Sequence, residues 1–247
     1  MSWFATLLRS TIFAIWFLIV TIVIYIAVLP VLLLPRRVMV HASRTWSRAI
    51  FFGLRFIVGL DYEVRGKVPH GPVLIASKHM SIWDTMGLYL TVWDPAAVLK
   101  RELLRVPFYG WYIAKAGVIP IDRNGRAAAL RRMALAAKKA IADGRPILIF
   151  PEGTRKNPGE TPDYKTGVAG LYGLLGVSCI PVALNSGLFW TGPMGFIKRP
   201  GRIVLQFLEP IPAGLKRTEF IRQLEVRIEM ATADLIAEGR QLLAGER

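Results

Sequence analysis

An α/β fold is predicted for most of this 247-residue chain, on three observations. Beyond Asp61, short apolar runs alternate with amphipathic stretches of helical period, the pattern of strands and helices sharing a core. The length suits one such domain with an appendage rather than two large domains. The single cysteine, Cys179, excludes an intramolecular disulfide scaffold and sits in an apolar run, where a buried role is expected.

The appendage comes first. Ser10 to Pro35 is free of charge and dense in Ile, Val, Leu, Phe and Trp, longer than the roughly 20 residues that cross a bilayer core. It lacks the short apolar core and small-residue cleavage site of a signal peptide, so it is expected to remain as an anchor. Trp46 to Leu60 is a second apolar stretch, broken by Arg48 and Arg55. It is expected to lie as an amphipathic helix in the membrane interface, its arginines at the head groups. Residues 1–60 are thus expected to form the anchor, as one or two helices, spanning or re-entrant. Residues 61–247 form the α/β domain.

In that domain, strands are expected at 62–65, 72–77, 96–100, 117–121, 146–150, 180–184 and 202–208. Helices are expected to begin at Ser81, Asn124 and Thr218. The second buries Leu130, Met133, Ala134, Ala137 and Ile141, and the third Phe220, Leu224, Ile228, Ala231 and Leu235, each at helical spacing.

The net charge is +15. Residues 1–60 hold six arginines and no acid, whereas the stretch from Lys216 balances six basic against six acidic residues. The surplus lies beside the apolar segments and points to an anionic membrane face or an anionic substrate. Arg36, Arg37, Arg44 and Arg48 flank the C-terminal side of the anchor, which puts the domain on the cytoplasmic face. Nucleic acid is the competing partner for an isoelectric point near 10.4. The chain has no zinc-ligand spacing, helix-turn-helix pattern or RNA-recognition motif to support it. No His/Cys/Asp cluster has metal-ligand spacing, and no Gly-x-Ser-x-Gly elbow is present for serine catalysis.

The chemistry centres on Ser77-Lys78-His79-Met80-Ser81-Ile82-Trp83-Asp84. On one continuous helix His79 and Asp84 would point roughly 140° apart. Ser81-Ile82-Trp83-Asp84, however, has the form of a capping box, with Ser81 as N-cap and Asp84 at the third helical position. The helix then starts between the pair, and both side chains meet above its entrance. A carboxylate so placed orients the imidazole, whose other nitrogen removes a proton from a nucleophile. The competing reading is a plain helix cap beside an incidental loop histidine.

Three more turns close predicted strands, where α/β sheets place ligands. Lys100 ends one, beside Arg101, and Asp122-Arg123 ends another. The third is Phe150-Pro151-Glu152-Gly153-Thr154-Arg155. There Gly153 permits close backbone approach, Thr154 offers a hydroxyl, and Arg155 offers a fork suited to phosphate oxygens. Lys165 adds a further cation downstream. Taken singly, Asp122–Arg123 also reads as a surface pair and Glu152–Arg155 as a local ion pair. Taken together, the turns imply an anionic, phosphorylated lipid substrate.

His79-x4-Asp84, Gly117–Arg123, Phe150–Arg155 and Ile180-Pro181-Val182 resemble, in order, the four blocks of the glycerolipid acyltransferases, closest to the bacterial lysophosphatidic acid acyltransferases. The resemblance implies a mixed sheet flanked by helices behind a membrane-embedded segment. It implies an acyl thioester donor on acyl carrier protein or coenzyme A, lysophosphatidic acid as acceptor, the inner membrane as location, and no cofactor or metal. It makes His79 the general base and Asp84 its orienting acid, with Lys100, Arg123, Glu152, Gly153, Thr154 and Arg155 at the acceptor phosphate. Competing expectations are another lyso-lipid as acceptor, such as a lyso-aminolipid, or a non-catalytic binder of anionic lipid. One departure stands out. The family usually has Asn before the histidine, and this chain has Lys78. A cation there would favour the neutral imidazole, or would point away toward the phosphate or the membrane surface.

Overall fold

The computed structural model describes residues 2–122, 126–191 and 195–245. Seven strands make one sheet in the order β1-β7-β6-β2-β5-β3-β4. They are β1 (Leu60–Arg65), β2 (Leu74–Ser77), β3 (Ala96–Lys100), β4 (Ile119–Ile121), β5 (Ile147–Ile149), β6 (Cys179–Leu184) and β7 (Gly201–Phe207). Each coincides with a predicted run. All neighbouring pairs are parallel except β6 with β7, so the sheet is mixed.

The described helices of regular α form are α1 (Trp3–Val28), α2 (Arg36–Gly53), α3 (Ile82–Thr91), α4 (Tyr109–Ala116), α5 (Arg126–Ala142), α6 (Thr166–Leu175) and α7 (Arg217–Gly245). They cover both faces of the sheet. Successive strand residues point to opposite faces, and the core divides accordingly. Ile75 and Leu148 pack with α2 and α3, through Ile50, Phe51 and Trp83. Leu74, Ala76, Ile147 and Ile149 pack on the other face, with Met133, Ala134 and Ala137 of α5 and with Phe220, Leu224 and Ile228 of α7. The apolar stripes expected on α5 and α7 are those that meet the sheet. Two short helices were not foreseen. In α4 only eight residues follow Pro107, and α6 carries Gly167, Gly170 and Gly173. A Cβ at Gly170 would stand 2.8 Å from Leu130 Cδ2, so that glycine lets α6 lie against α5.

The second apolar stretch departs from expectation. Its helix starts at Arg36, not near Trp46. The face that bears Ile50, Leu54 and Val58, at most 1% exposed, packs against the sheet, while Phe52 and Phe56 of the same stretch stay exposed. Phe51 stacks on Trp83 of α3, ring centroids 5.2 Å apart. A π-helical turn, Leu54–Val58, carries the chain from α2 into β1.

Helix α1 folds back along α2. Trp16 donates to the Ala49 carbonyl at 3.0 Å, and Trp46 donates to Thr21 Oγ1 at 3.0 Å. Both ends of α1 rest on the body: Arg9 reaches the Val58 carbonyl, and Tyr112 of α4 donates to the Tyr25 carbonyl. These contacts are roughly 24 Å apart along the axis. Phe13 is buried edge-on against Trp190. The outer face leaves Phe4, Leu8, Ile12, Ile15, Ile19 and Ile26 exposed, and Trp3–Leu33 is long and apolar enough to cross a membrane.

Candidate active site

Three adjacent strands build the site. β2 lies between β6 and β5, with Ser77 opposite Val182 and Ala76 opposite Ile149. The turns that leave the C-terminal ends of β2 and β5 are therefore neighbours. The Lys156 N–H donates to the His79 carbonyl at 2.9 Å and ties them together.

The capping box expected at Ser81 is present. Asp84, fully buried, takes hydrogen bonds on Oδ2 from the Met80 and Ser81 amides at 2.6 and 2.8 Å. The same oxygen lies 2.9 Å from His79 Nδ1. On Oδ1 it accepts from Ser81 Oγ at 3.1 Å and from Ser186 Oγ. An oxygen that already accepts from two amides is matched by a third donor, the Nδ1–H tautomer of the imidazole, which turns Nε2 outward. The ring lies nearly parallel to Phe150, centroids 3.9 Å apart. Its side chain is 12% exposed, which leaves an edge open to a reactant. The pair thus has the geometry of an oriented general base.

Lys78 resolves the departure from the family pattern. Its ammonium turns away from His79 into the body, where it meets Glu152 at 2.9 Å and Glu229 of α7 at 2.8 Å. Tyr164 donates to the same Glu229 oxygen at 2.9 Å. The lysine side chain is 2% exposed and that of Glu152 0%. Burial pushes the Glu152 carboxyl up, while Lys78 and the His79 amide pull it back. Glu152 was expected at the acceptor phosphate. The structure places its carboxylate under the His79 turn, sealed from solvent, so its contribution to the site runs through Lys78 and the backbone.

The other predicted residues spread along the same sheet edge. Gly153 adopts a φ of +66°, and only the Lys165 stem, 3.8 Å from an added Cβ, approaches it. That positive φ makes the turn presenting Thr154, exposed, and Arg155, half-buried. Arg155 lies near the Tyr109 hydroxyl, where it favours the phenolate against the upward push of burial. Lys100 is 48% exposed, 3.8 Å from Glu102. Its strand is separated from that of His79 by β5, roughly 10 Å away. Lys100 pairs in register with Ile121, beside Asp122. Arg123 lies outside the described residues.

Sequence reasoning missed Ser186 and Glu229. Asn185 places the first. Its amide oxygen accepts from the Val204 N–H at 2.9 Å, and its amide nitrogen donates to the Leu235 carbonyl at 3.2 Å, which fixes the turn after β6. Ser186 lies 102 positions from Asp84 and Glu229 lies 151 from Lys78, so no local pattern marks either one.

Residues 61–185 match the family model described as Acyltransferase, and the chain belongs to this acyltransferase family. Among its relatives is a 1-acyl-sn-glycerol-3-phosphate acyltransferase of Pseudomonas aeruginosa, 35% identical over 79% of this chain and 76% of that one. A lyso-ornithine lipid O-acyltransferase of the same organism is 29% identical over 72% of this chain and 75% of that one. The crystal structure of the 1-acyl-sn-glycerophosphate (LPA) acyltransferase PlsC from Thermotoga maritima shares the fold. Its TM-score is 0.76 at 21% identity, with 92% of this chain and 96% of that chain covered.

Proposed function

We propose that this protein transfers an acyl chain from a thioester to the sn-2 hydroxyl of 1-acyl-sn-glycerol-3-phosphate, giving phosphatidic acid. The observation that carries the reading is His79, its Nδ1 held by a five-donor carboxylate and its Nε2 left as base. Nε2 takes the hydroxyl proton as the oxygen attacks the thioester carbonyl. The tetrahedral intermediate expels the thiolate, which takes the proton from the imidazolium and leaves as a thiol. No covalent acyl-enzyme is needed. Arg155, Gly153 and Thr154 receive the acceptor phosphate, and the family resemblance adds Lys100 and Arg123 to them. The donor is carried on acyl carrier protein or coenzyme A.

The membrane supplies the acceptor. Because both ends of α1 rest on the body, a perpendicular crossing would drag the domain into a hydrocarbon core about 30 Å thick. Helix α1 therefore lies within one leaflet of the inner membrane, its outer face in lipid. The arginine-rich flank supports the cytoplasmic side.

The test is acyl transfer by His79→Ala, with thermal unfolding measured alongside. Activity should vanish with the unfolding midpoint unmoved, and normal turnover would overturn the assignment. Arg155→Ala separates acceptors: a large loss with lysophosphatidic acid is expected. Indifference to that change, with turnover of a lyso-aminolipid, would move the protein to the other branch of the family.

A further inference from the structure

From Lys100 into α4 the chain exposes bulky apolar side chains. Val106, Phe108 and Trp111 are 43%, 50% and 52% exposed. The Phe108 and Trp111 rings meet edge to face, centroids 5.1 Å apart. Phe108 has φ +60° and ψ −60°, and the Tyr109 N–H reaches the Pro107 carbonyl at 2.7 Å. This is a γ-turn of the positive-φ kind, rare and strained for a residue with a side chain. Such strain persists only where surrounding structure imposes it, and it collects at functional sites. Here it turns an aromatic ring outward. Lys100, Arg101 and Arg105 are exposed on the same segment, with Glu102 as the acidic residue among them.

Two connections fix what this surface meets. On one side, Tyr112 and Ala116 of α4 pack with Tyr25, Val28, Val31 and Leu32, so the patch lies beside the C-terminal end of the apolar helix α1. On the other side, Tyr109 turns inward toward Arg155. The segment therefore joins that end of α1 to the phosphate-binding turn. We propose that residues 101–111 are a second membrane contact, inserting Phe108 and Trp111 among the acyl chains of an anionic bilayer while Arg101 and Arg105 hold its head groups. Aromatic rings at the acyl boundary ringed by cations match such a surface in both polarity and charge. This contact sets the mouth of the site at the depth of the acceptor's glycerol, so a lipid need not leave the leaflet to reach His79. The inference rests on the membrane-borne acceptor proposed above.

The experiment has two readouts, so that failure of one reading is not mistaken for failure of the other. In full-length Phe108→Cys protein, whose native Cys179 is fully buried, an environment-sensitive fluorophore is attached at position 108. Its emission is compared in buffer with detergent and on vesicles of phosphatidylethanolamine and phosphatidylglycerol. A blue shift on vesicles, with quenching by lipids brominated along the acyl chain, is expected whether or not the acceptor is correctly assigned. A probe that stays in water while the protein is vesicle-bound would overturn the proposal. Separately, the Phe108→Ser/Trp111→Ser double variant is assayed with vesicle-borne lysophosphatidic acid and with a short-chain, water-dispersed analogue. Loss of two aromatic insertions should lower kcat/KM on vesicles by about tenfold and leave the dispersed acceptor unaffected. Equal loss on both would also overturn it, by making the segment part of the site rather than of the membrane contact.

Discussion

Lys78→Met takes the cation out of a buried cluster and leaves two carboxylates facing each other. Methionine keeps the unbranched length of the side chain, so the change is chiefly one of charge. Removing one partner of a buried ion pair costs about 3–5 kcal/mol, because the remaining charge is buried without compensation. Glu152 is sealed, but the Glu229 side chain is 27% exposed and keeps some water, which sets the expected loss near the lower bound, about 3 kcal/mol. For a chain of this size that lowers Tm by roughly 6–12 °C. Adding Glu229→Gln removes one of the stranded charges and should recover a third or more of the loss. The pH dependence carries a definite sign. Burial already holds the Glu152 carboxyl above its ordinary value, against the pull of Lys78, and without the lysine it rises further. A carboxyl raised in the folded state favours folding when protonated, so its penalty is absent below the unfolded value and grows as pH rises. The gap between variant and wild type should close as pH falls toward about 4.3. Thermal unfolding in detergent from pH 4.5 to 8 reads all three quantities. A Tm within a degree of wild type at neutral pH, or a double variant no better than the single, would refute a stabilising role for the Lys78 cluster.

Three further outcomes follow from the same geometry. Ser186→Ala removes a donor from Asp84 and should lower kcat about tenfold with KM unmoved, as expected for loss of a hydrogen bond to a charged group; unchanged turnover would make that serine dispensable. Gly187→Ala puts a Cβ 2.9 Å from Pro158 Cδ and 3.1 Å from Met80 Cβ, so the 156–162 loop must shift and stability should fall by about 1–3 kcal/mol, measured by denaturant titration. Lys198, 6% exposed among Phe13, Trp190 and Phe196, has its ammonium pushed down to about 8 from 10.5 by burial. A base depressed in the folded state stabilises above its unfolded value and loses that contribution as pH falls through 8. Wild-type Tm should therefore gain between pH 8 and 10 relative to Lys198→Met, and parallel curves would refute it.

The strands and the His79–Asp84 pair were legible because they are written locally. Strand residues alternate or run apolar between turns, and the capping box places acid and imidazole within six residues. The family blocks at the strand ends were legible by resemblance. What the sequence concealed is contact across the sheet. Lys78 looked like a cation beside the base until α7 supplied Glu229 and β5 supplied Glu152. Ser186 gave no sign of itself, since its place depends on Asn185 bridging β7 and α7. The packing of α2 on the sheet was hidden for a related reason. Phe51 and Trp83 are each ordinary apolar residues in their own segments, and only packing shows that they face one another. Helix α4 was too short to display a period, and the glycines of α6 masked one.

Setting the histidine's strand between two others has a consequence for how this molecule tolerates change. The acid that orients the imidazole is braced from the left by the serine after β6, and the turn that carries the ring is braced from the right by the glutamate after β5, like a plank nailed at both edges. Slippage of either flank would be transmitted to it at once. The outer strand β1 supplies none of these braces, so variation in length and composition is best accommodated there, at that rim of the sheet.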